Sequence, residues 1–268
     1  MNPDMRYRMP VVFGPSSGPR QGPDGERFNY DEAPRLQITT SFLTEAAHLE
    51  ALLPEGFSLD GEPVVTVEIL YLTQIEWLAG RGYNTLGVKF PARFKGRMDE
   101  ARGPFLSILW ENMPEPILTG REELGFAKLY CEIPEPTIVQ GVRRHRGVWD
   151  GHEFMSMEIT DLADAPPPVG AATIDGTLHY RYFPSVGGSG EADCAGAVMT
   201  PAAGVALKTD RFQRGEGRVV FHPTTWRQMP TMFQIINVLA ALPVMEWRGS
   251  TVAWQRGGKD LSDQRPLR

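Results

Sequence analysis

The sequence predicts a mainly β protein with few short helices, and three observations carry that expectation. Glycine and proline recur throughout, 28 and 23 of 268 residues, too often for long helices to run uninterrupted. The apolar runs are short, rich in β-branched residues and bounded by turn formers. Only two segments keep apolar residues at helical spacing. A meander of such strands closes into a barrel or packs as a sandwich.

Taken in order, residues 1–35 are rich in Pro, Gly and charge, as in Phe13-Gly14-Pro15-Ser16-Ser17-Gly18-Pro19. They cannot form a core alone and are expected to lie as an extended arm over a single domain spanning 36–268. Leu36, Ile38 and Thr40 alternate as one face of a strand. A short helix follows, with Thr44 as its N-cap, Ala46, Leu49, Leu52 and Leu53 at helical spacing, and Pro54 as its stop. Residues 64–72 (Val-Val-Thr-Val-Glu-Ile-Leu-Tyr-Leu) read as a central strand with Glu68 in its middle. Further strands are expected at 85–90, 105–111, 128–132, 153–159, 177–183, 204–209 and 217–221. Trp226, Met229, Phe233, Ile236 and Leu239 predict a second helix, beginning near Thr231 because of Pro230 and closed by Pro243. Thr251-Val252-Ala253-Trp254 forms a last strand, and no internal repeat occurs.

The net charge of −6 offers no field to recruit a polyanion, which argues against nucleic acid and anionic membranes as partners. The basic cluster Arg143-Arg144-His145-Arg146 reads as a solvated turn. Two cysteines, Cys131 and Cys194, without metal spacing suit a reducing compartment. The longest apolar stretch, 235–244, is too short to span a bilayer. The N-terminal residues lack the apolar stretch of a signal peptide, so a cytoplasmic location is expected.

Several kinds of chemistry find no foothold. The histidines (His48, His145, His152, His179 and His222) show no metal spacing and read as surface or capping residues. Neither Gly187-Gly188-Ser189-Gly190 nor Gly257-Gly258 leads from a strand into a helix as a phosphate loop must, and no Gly-x-Ser-x-Gly elbow occurs. The pairs Glu111 with Glu115 and Glu132 with Glu135 are interrupted by prolines and read as loop carboxylates. No metal or cofactor is called for. Two residues stand out. Glu68 sits inside an apolar run, where an ionised carboxylate needs a partner unless it faces solvent. Lys128 lies between Leu124-Gly125-Phe126-Ala127 and Leu129-Tyr130-Cys131. Burial penalises the charged form of an amine, and a neutral amine attacks ketones to form an imine. By itself, a lysine at a strand start is more often a snorkelling surface residue.

Spacing then narrows the choice. Met113-Pro114-Glu115-Pro116 leads into Gly120-Arg121-Glu122, and Lys128 follows eight residues after that glycine. Upstream lie Leu53-Pro54-Glu55-Gly56-Phe57, Val65-Thr66-Val67-Glu68-Ile69 and Tyr83-Asn84-Thr85-Leu86-Gly87; downstream lies Leu242-Pro243-Val244-Met245-Glu246. In this order the segments resemble those of the acetoacetate decarboxylase family, across most of residues 36–254. The resemblance implies an antiparallel β-barrel or cone with few short helices, a homo-oligomer, and Lys128 as the imine-forming lysine. It implies a strand ending at Gly-Arg-Glu, with Glu68 as a pocket carboxylate. Three departures accompany it. Leu129 stands where acetoacetate decarboxylase itself has a second, activating lysine, Thr85 stands where the family has a second pocket glutamate, and Ala33 falls near the family's carboxylate-binding arginine, with Arg27 and Arg35 as imperfect substitutes.

The resemblance therefore implies a Schiff-base lyase acting on a short oxo acid. Aldol condensation of pyruvate with an aldehyde, followed by dehydration, is preferred because of Leu129 and Thr85. Catalytic roles fall to Lys128, Glu68 and Tyr83, and substrate contacts to Thr85, Trp110, Glu122, Phe126 and Trp254. Decarboxylation of acetoacetate or a related 3-oxo acid is the alternative, and a non-catalytic barrel that sequesters a small acid is a third reading.

Overall fold

The computed structural model describes residues 1–168, 174–188, 190–204 and 207–268. It is mostly β, with strands β1 (Pro34–Leu43), β2 (Phe57–Leu59), β3 (Val64–Ile75), β4 (Arg81–Lys95), β5 (Glu100–Glu111), β6 (Lys128–Tyr130), β7 (Thr137–Val139), β8 (Val142–Trp149), β9 (His152–Asp164), β10 (Gly176–Pro184), β11 (Ala192–Pro201), β12 (Lys208–Phe221), β13 (Glu246–Arg256) and β14 (Arg265–Pro266). Three short helices accompany them: α1 (Ala46–Glu50), α2 (Pro114–Glu122) and α3 (Phe233–Ala240).

The strands form one large mixed sheet in the order β14-β11-β10-β5-β4-β3-β1-β13-β12-β9-β8-β7, with β2 attached to β4 and β6 to β5. Pairing is antiparallel except for β5 with β6 and β5 with β10. The terminal strands of this order do not pair with each other among the described residues, so the expected closed barrel is corrected to an open sheet. The sheet instead folds over on itself. Val65, Val67 and Ile69 of β3, Leu86, Val88 and Phe90 of β4, and Met155, Met157 and Ile159 of β9 share one apolar cluster. Trp110 of β5 meets Phe154 of β9 with ring centroids 5.3 Å apart, although their strands lie far apart in the sheet. The alternating burial of β3 is what a strand with one fully apolar face produces.

Local expectations fared unevenly. The central strand, both expected helices and the last strand are present, each within a few residues of the predicted limits. Thr44 is not the cap of α1: Glu45 holds that position, and the Thr44 hydroxyl is buried without a partner. The supposed basic turn at 143–146 lies within β8, where outward-facing arginines pair with Glu153 and Glu158 while His145 is fully buried. His179 is likewise buried, so neither is a surface or capping residue. Residues 208–209 and 217–221 belong to one strand, β12; the part of the 204–209 prediction at 205–206 lies outside the described residues. No described helix is long and apolar enough to cross a membrane.

Candidate active site

The segment expected to be a strand ending at Gly-Arg-Glu is helix α2, which crosses from the end of β5 to the parallel strand β6. Pro114 opens the helix, where a missing N–H costs nothing because the first turn has no intrahelical acceptor for it. Gly125, at φ +75°, turns the chain back. Leu109 N–H donates to Ala127 O at 3.1 Å and Cys131 N–H to Glu111 O at 3.1 Å, which locks β6 beside β5. Arg121 Nη1 donates to Lys128 O at 2.8 Å.

This unit buries two opposite charges together. Successive strand residues point to opposite faces, so Trp110 enters the core, where its indole N–H reaches Met232 Sδ at 3.3 Å, and Glu111 points to the other face. Lys128 Nζ lies 2.8 Å from Glu111 Oε1 and donates to Pro116 O at 3.0 Å. The lysine is 7% exposed and the glutamate 1%. Burial pushes the Glu111 carboxyl above its ordinary pKa, with Lys128 pulling in the other direction. Glu111 Oε2 has no hydrogen-bond partner among the described residues. The absence of a side chain at Gly120 makes room for the amine: a methyl group there would sit 2.5 Å from Lys128 Cδ and Nζ.

Lys128 lines a cavity of about 160 Å³. Tyr83 of β4, Arg35 of β1 and Leu72 of β3 contribute from the sheet, Pro116, Thr119 and Gly120 from α2. Much of the remaining wall comes from the chain's two ends: Pro19, Tyr30 and Ala33 on one side and residues 257–261 on the other. Arg35 spends Nε on Gln255 Oε1 at 3.2 Å, and its Nη groups have no hydrogen-bond partner among the described residues. Burial and then the Glu111 charge raise the Tyr83 hydroxyl well above its ordinary pKa, so it remains a proton donor. Lys259 also lines the cavity, but its ammonium is taken up by Ala203 O at 3.0 Å and Asp263 Oδ2 at 2.6 Å.

Of the residues given catalytic or substrate-contact roles from sequence, the cavity brings together Lys128 and Tyr83. Thr85 is buried directly across from Glu111 in the β4–β5 register. Phe126 lies behind the amine, its ring centre 5.7 Å from Lys128 Nζ and stacked on His179 at 4.2 Å. Glu68 shares the sheet face of Lys128 but is engaged elsewhere, by Gln37 and by Lys89 Nζ at 2.8 Å. Burial raises its pKa, but the Lys89 charge and hydrogen bond outweigh that and hold the carboxyl low. Trp110 belongs to the core. Trp254 lies on β13 under the Arg211 guanidinium at 5.0 Å, and Glu122 borders a separate cleft beneath residues 5–9. None of these last four lines the cavity. Sequence reasoning passed over Glu111, whose position at the end of the alternating run 105–111 was the available signal, and gave Arg35 only a secondary place.

Fold and site thus define a folded-over β-sheet protein with a buried amine at the wall of a small pocket. The acetoacetate decarboxylase family model matches residues 8–253, and the chain belongs to that family. The cavity wall at 257–261 lies beyond the matched region. No curated protein matches the chain significantly. Among solved structures, an acetoacetate decarboxylase aligns with TM-score 0.71 at 16% identity, covering 97% of this chain and 98% of that one. The acetoacetate decarboxylase of Legionella pneumophila subsp. pneumophila str. Philadelphia 1 aligns at 0.64 and 16%, covering 87% of each. The enduracididine biosynthesis enzyme MppR, in complex with pyruvate, aligns at 0.61 and 13%, covering 92% and 95%. At these identities the likeness establishes the fold.

Proposed function

We propose that the protein is a lyase that binds a short oxo acid through an imine on Lys128. The observation that carries this reading is the buried Lys128 amine at the wall of a small, mostly apolar cavity that Arg35 and Tyr83 also line. Its neutral form adds to the substrate ketone, and loss of water leaves a protonated imine that withdraws electrons from the adjacent carbon. Arg35, with two Nη groups unspent, pairs with the substrate carboxylate and orients it. Tyr83 donates a proton to the ketone oxygen as it becomes a hydroxyl.

The preferred reaction is condensation of pyruvate with an aldehyde, followed by dehydration. MppR, of the same fold, is known in complex with pyruvate and with the condensation product of pyruvate and imidazole 4-carboxaldehyde. Decarboxylation of acetoacetate or a related 3-oxo acid is the second reading, favoured by the cavity's size. An apolar cavity of about 150 Å³ holds a benzene molecule, which has as many non-hydrogen atoms as pyruvate. A cavity of about 160 Å³ therefore suits one small acid, and an aldehyde partner requires the wall to open.

Borohydride trapping with pyruvate or acetoacetate, followed by peptide mass mapping, tests the reading. The expected result is an adduct on Lys128 that disappears in Lys128→Arg. If neither acid leaves an adduct, the protein is a binding module and not a lyase. Arg35→Gln is expected to raise KM for the acid by about 10–100-fold with a smaller change in kcat, the mark of a lost charge-assisted contact. Carbon dioxide release from acetoacetate, set against an absorbance rise from pyruvate plus a conjugated aldehyde, distinguishes the two reactions.

A further inference from the structure

Resting on the imine reading, we propose that Glu111 is a catalytic residue, the proton shuttle that makes and unmakes the imine on Lys128. Three observations carry this. The carboxylate touches the amine, Oε1 lying 2.8 Å from Nζ, so a proton passes between them without water. Its second oxygen, Oε2, is buried with no hydrogen-bond partner among the described residues, although a purely structural ion pair is stabilised by having both oxygens satisfied. Glu111 also stands directly opposite Thr85 in the β4–β5 register. A carboxylate projecting from β5 therefore reaches the neighbourhood that position 85 serves on β4, where this chain carries only a hydroxyl.

The steps balance. In the resting pair Lys128 is an ammonium and Glu111 a carboxylate. Transfer of one proton to Oε1 leaves a neutral amine beside a neutral acid, which the low-dielectric surroundings favour. The amine adds to the substrate ketone; the C–N bond forms as the C–O π bond breaks, Tyr83 gives its proton to the oxygen, and a nitrogen proton restores the Tyr83 hydroxyl. Glu111 then returns its proton to the substrate hydroxyl, which departs as water and leaves a protonated imine paired with the Glu111 carboxylate. In net terms, two of the three ammonium protons leave in the water and one stays on nitrogen. Hydrolysis reverses the sequence. Burial holds the Glu111 carboxyl above its ordinary value, which favours the acid form that the transfer requires. The titratable groups around it are Lys128 on β6 and Tyr83 on β4, with Arg35 of β1 on the cavity wall.

The test is the rate of borohydride trapping with acetoacetate and pyruvate across pH, on wild type, Glu111→Gln and Glu111→Asp, with thermal melts to verify folding. Expected is a drop of about 10²-fold in Glu111→Gln near neutrality, within the range for a lost proton-transfer group. Its profile should keep rising toward high pH where wild type has a plateau, and Glu111→Asp should fall between. A merely structural role would lower stability without moving the profile. Wild-type trapping with variant rates within two-fold and an unchanged profile overturns this proposal alone. If Glu111→Gln does not fold, the Glu111→Asp profile decides by the same criterion. Wild type that forms no adduct overturns the imine reading and this proposal with it.

Discussion

Among the polar atoms buried without a described partner, three belong to histidines, His145 Nε2, His152 Nε2 and His179 Nδ1, and of these residues His145 and His179 are fully buried. Burial pulls His145 down to about 3 and His179 to about 4. His145 receives or donates a single hydrogen bond with the Tyr71 hydroxyl at 2.9 Å, and His179 Nε2 meets Leu124 O at 3.1 Å. Both folded values lie below that of a histidine in an unfolded chain, about 6.5. Below that pH the unfolded chain takes up protons that the folded chain refuses. The stability associated with the neutral rings is thus complete above pH 6.5 and is lost as pH falls toward 4 and 3. Each pKa unit corresponds to about 1.4 kcal/mol, so each histidine removes about 2 kcal/mol between pH 7 and pH 5. Urea unfolding at those two pH values should show this loss, and His179→Gln should flatten it by about half; an equal slope in the variant would refute the assignment. Neither histidine announced itself in the sequence. His145 lies in a run with three arginines, two of which, Arg144 and Arg146, point to the opposite face, and composition does not reveal which of the four faces inward.

Helix α2 is the element on which the site depends, and its prolines concealed it. Pro114 and Pro116 read as breakers, yet both fall in the first turn, where a helix has no use for their N–H groups. Pro116 even contributes its carbonyl to the lysine. The helix is short, and its apolar residues do not form a continuous stripe, so periodicity gave no signal. The strands with one wholly apolar face, β3 above all, were readable because burial leaves a period of two. Gly120 joins helix to chemistry. Gly120→Ala gains roughly 1 kcal/mol of helix propensity but drives a methyl group against the lysine chain, which Pro116 O and Glu111 hold in place. The variant is expected to melt within a few degrees of wild type and to lose at least ten-fold in the rate of adduct formation. A melt and a trapping assay on one preparation check both parts.

At the scale of the molecule, the sheet supplies the floor of the cavity and the chain's ends supply its roof. The N-terminal segment is fastened to α2 through Glu123, which accepts from Arg8 at 3.1 Å and from Arg20 at 2.9 Å, all three largely buried. Arg27 and Asp260, 3.6 Å apart, link the two ends to each other. Glu123→Ala should release the arm: cleavage within residues 1–33 by trypsin is expected to rise about ten-fold while the global melt shifts by only a few degrees. The same variant should accept bulkier aldehydes if the arm limits the second substrate, and product profiles with a graded aldehyde series would show it. The mainly β class was legible from punctuation and alternation, whereas closure was not. A closed barrel and a sheet folded over on itself bury the same alternating faces, and they differ only in whether the outermost strands meet. The roof also has a meaning in time. A chain emerging from the ribosome displays Lys128 long before residues 257–261 arrive to enclose it. Until then the amine stands beside bulk water, its hydration intact. Because residues 257–261 follow Lys128 in the chain, the cavity is complete only after the segment that carries the amine has been made.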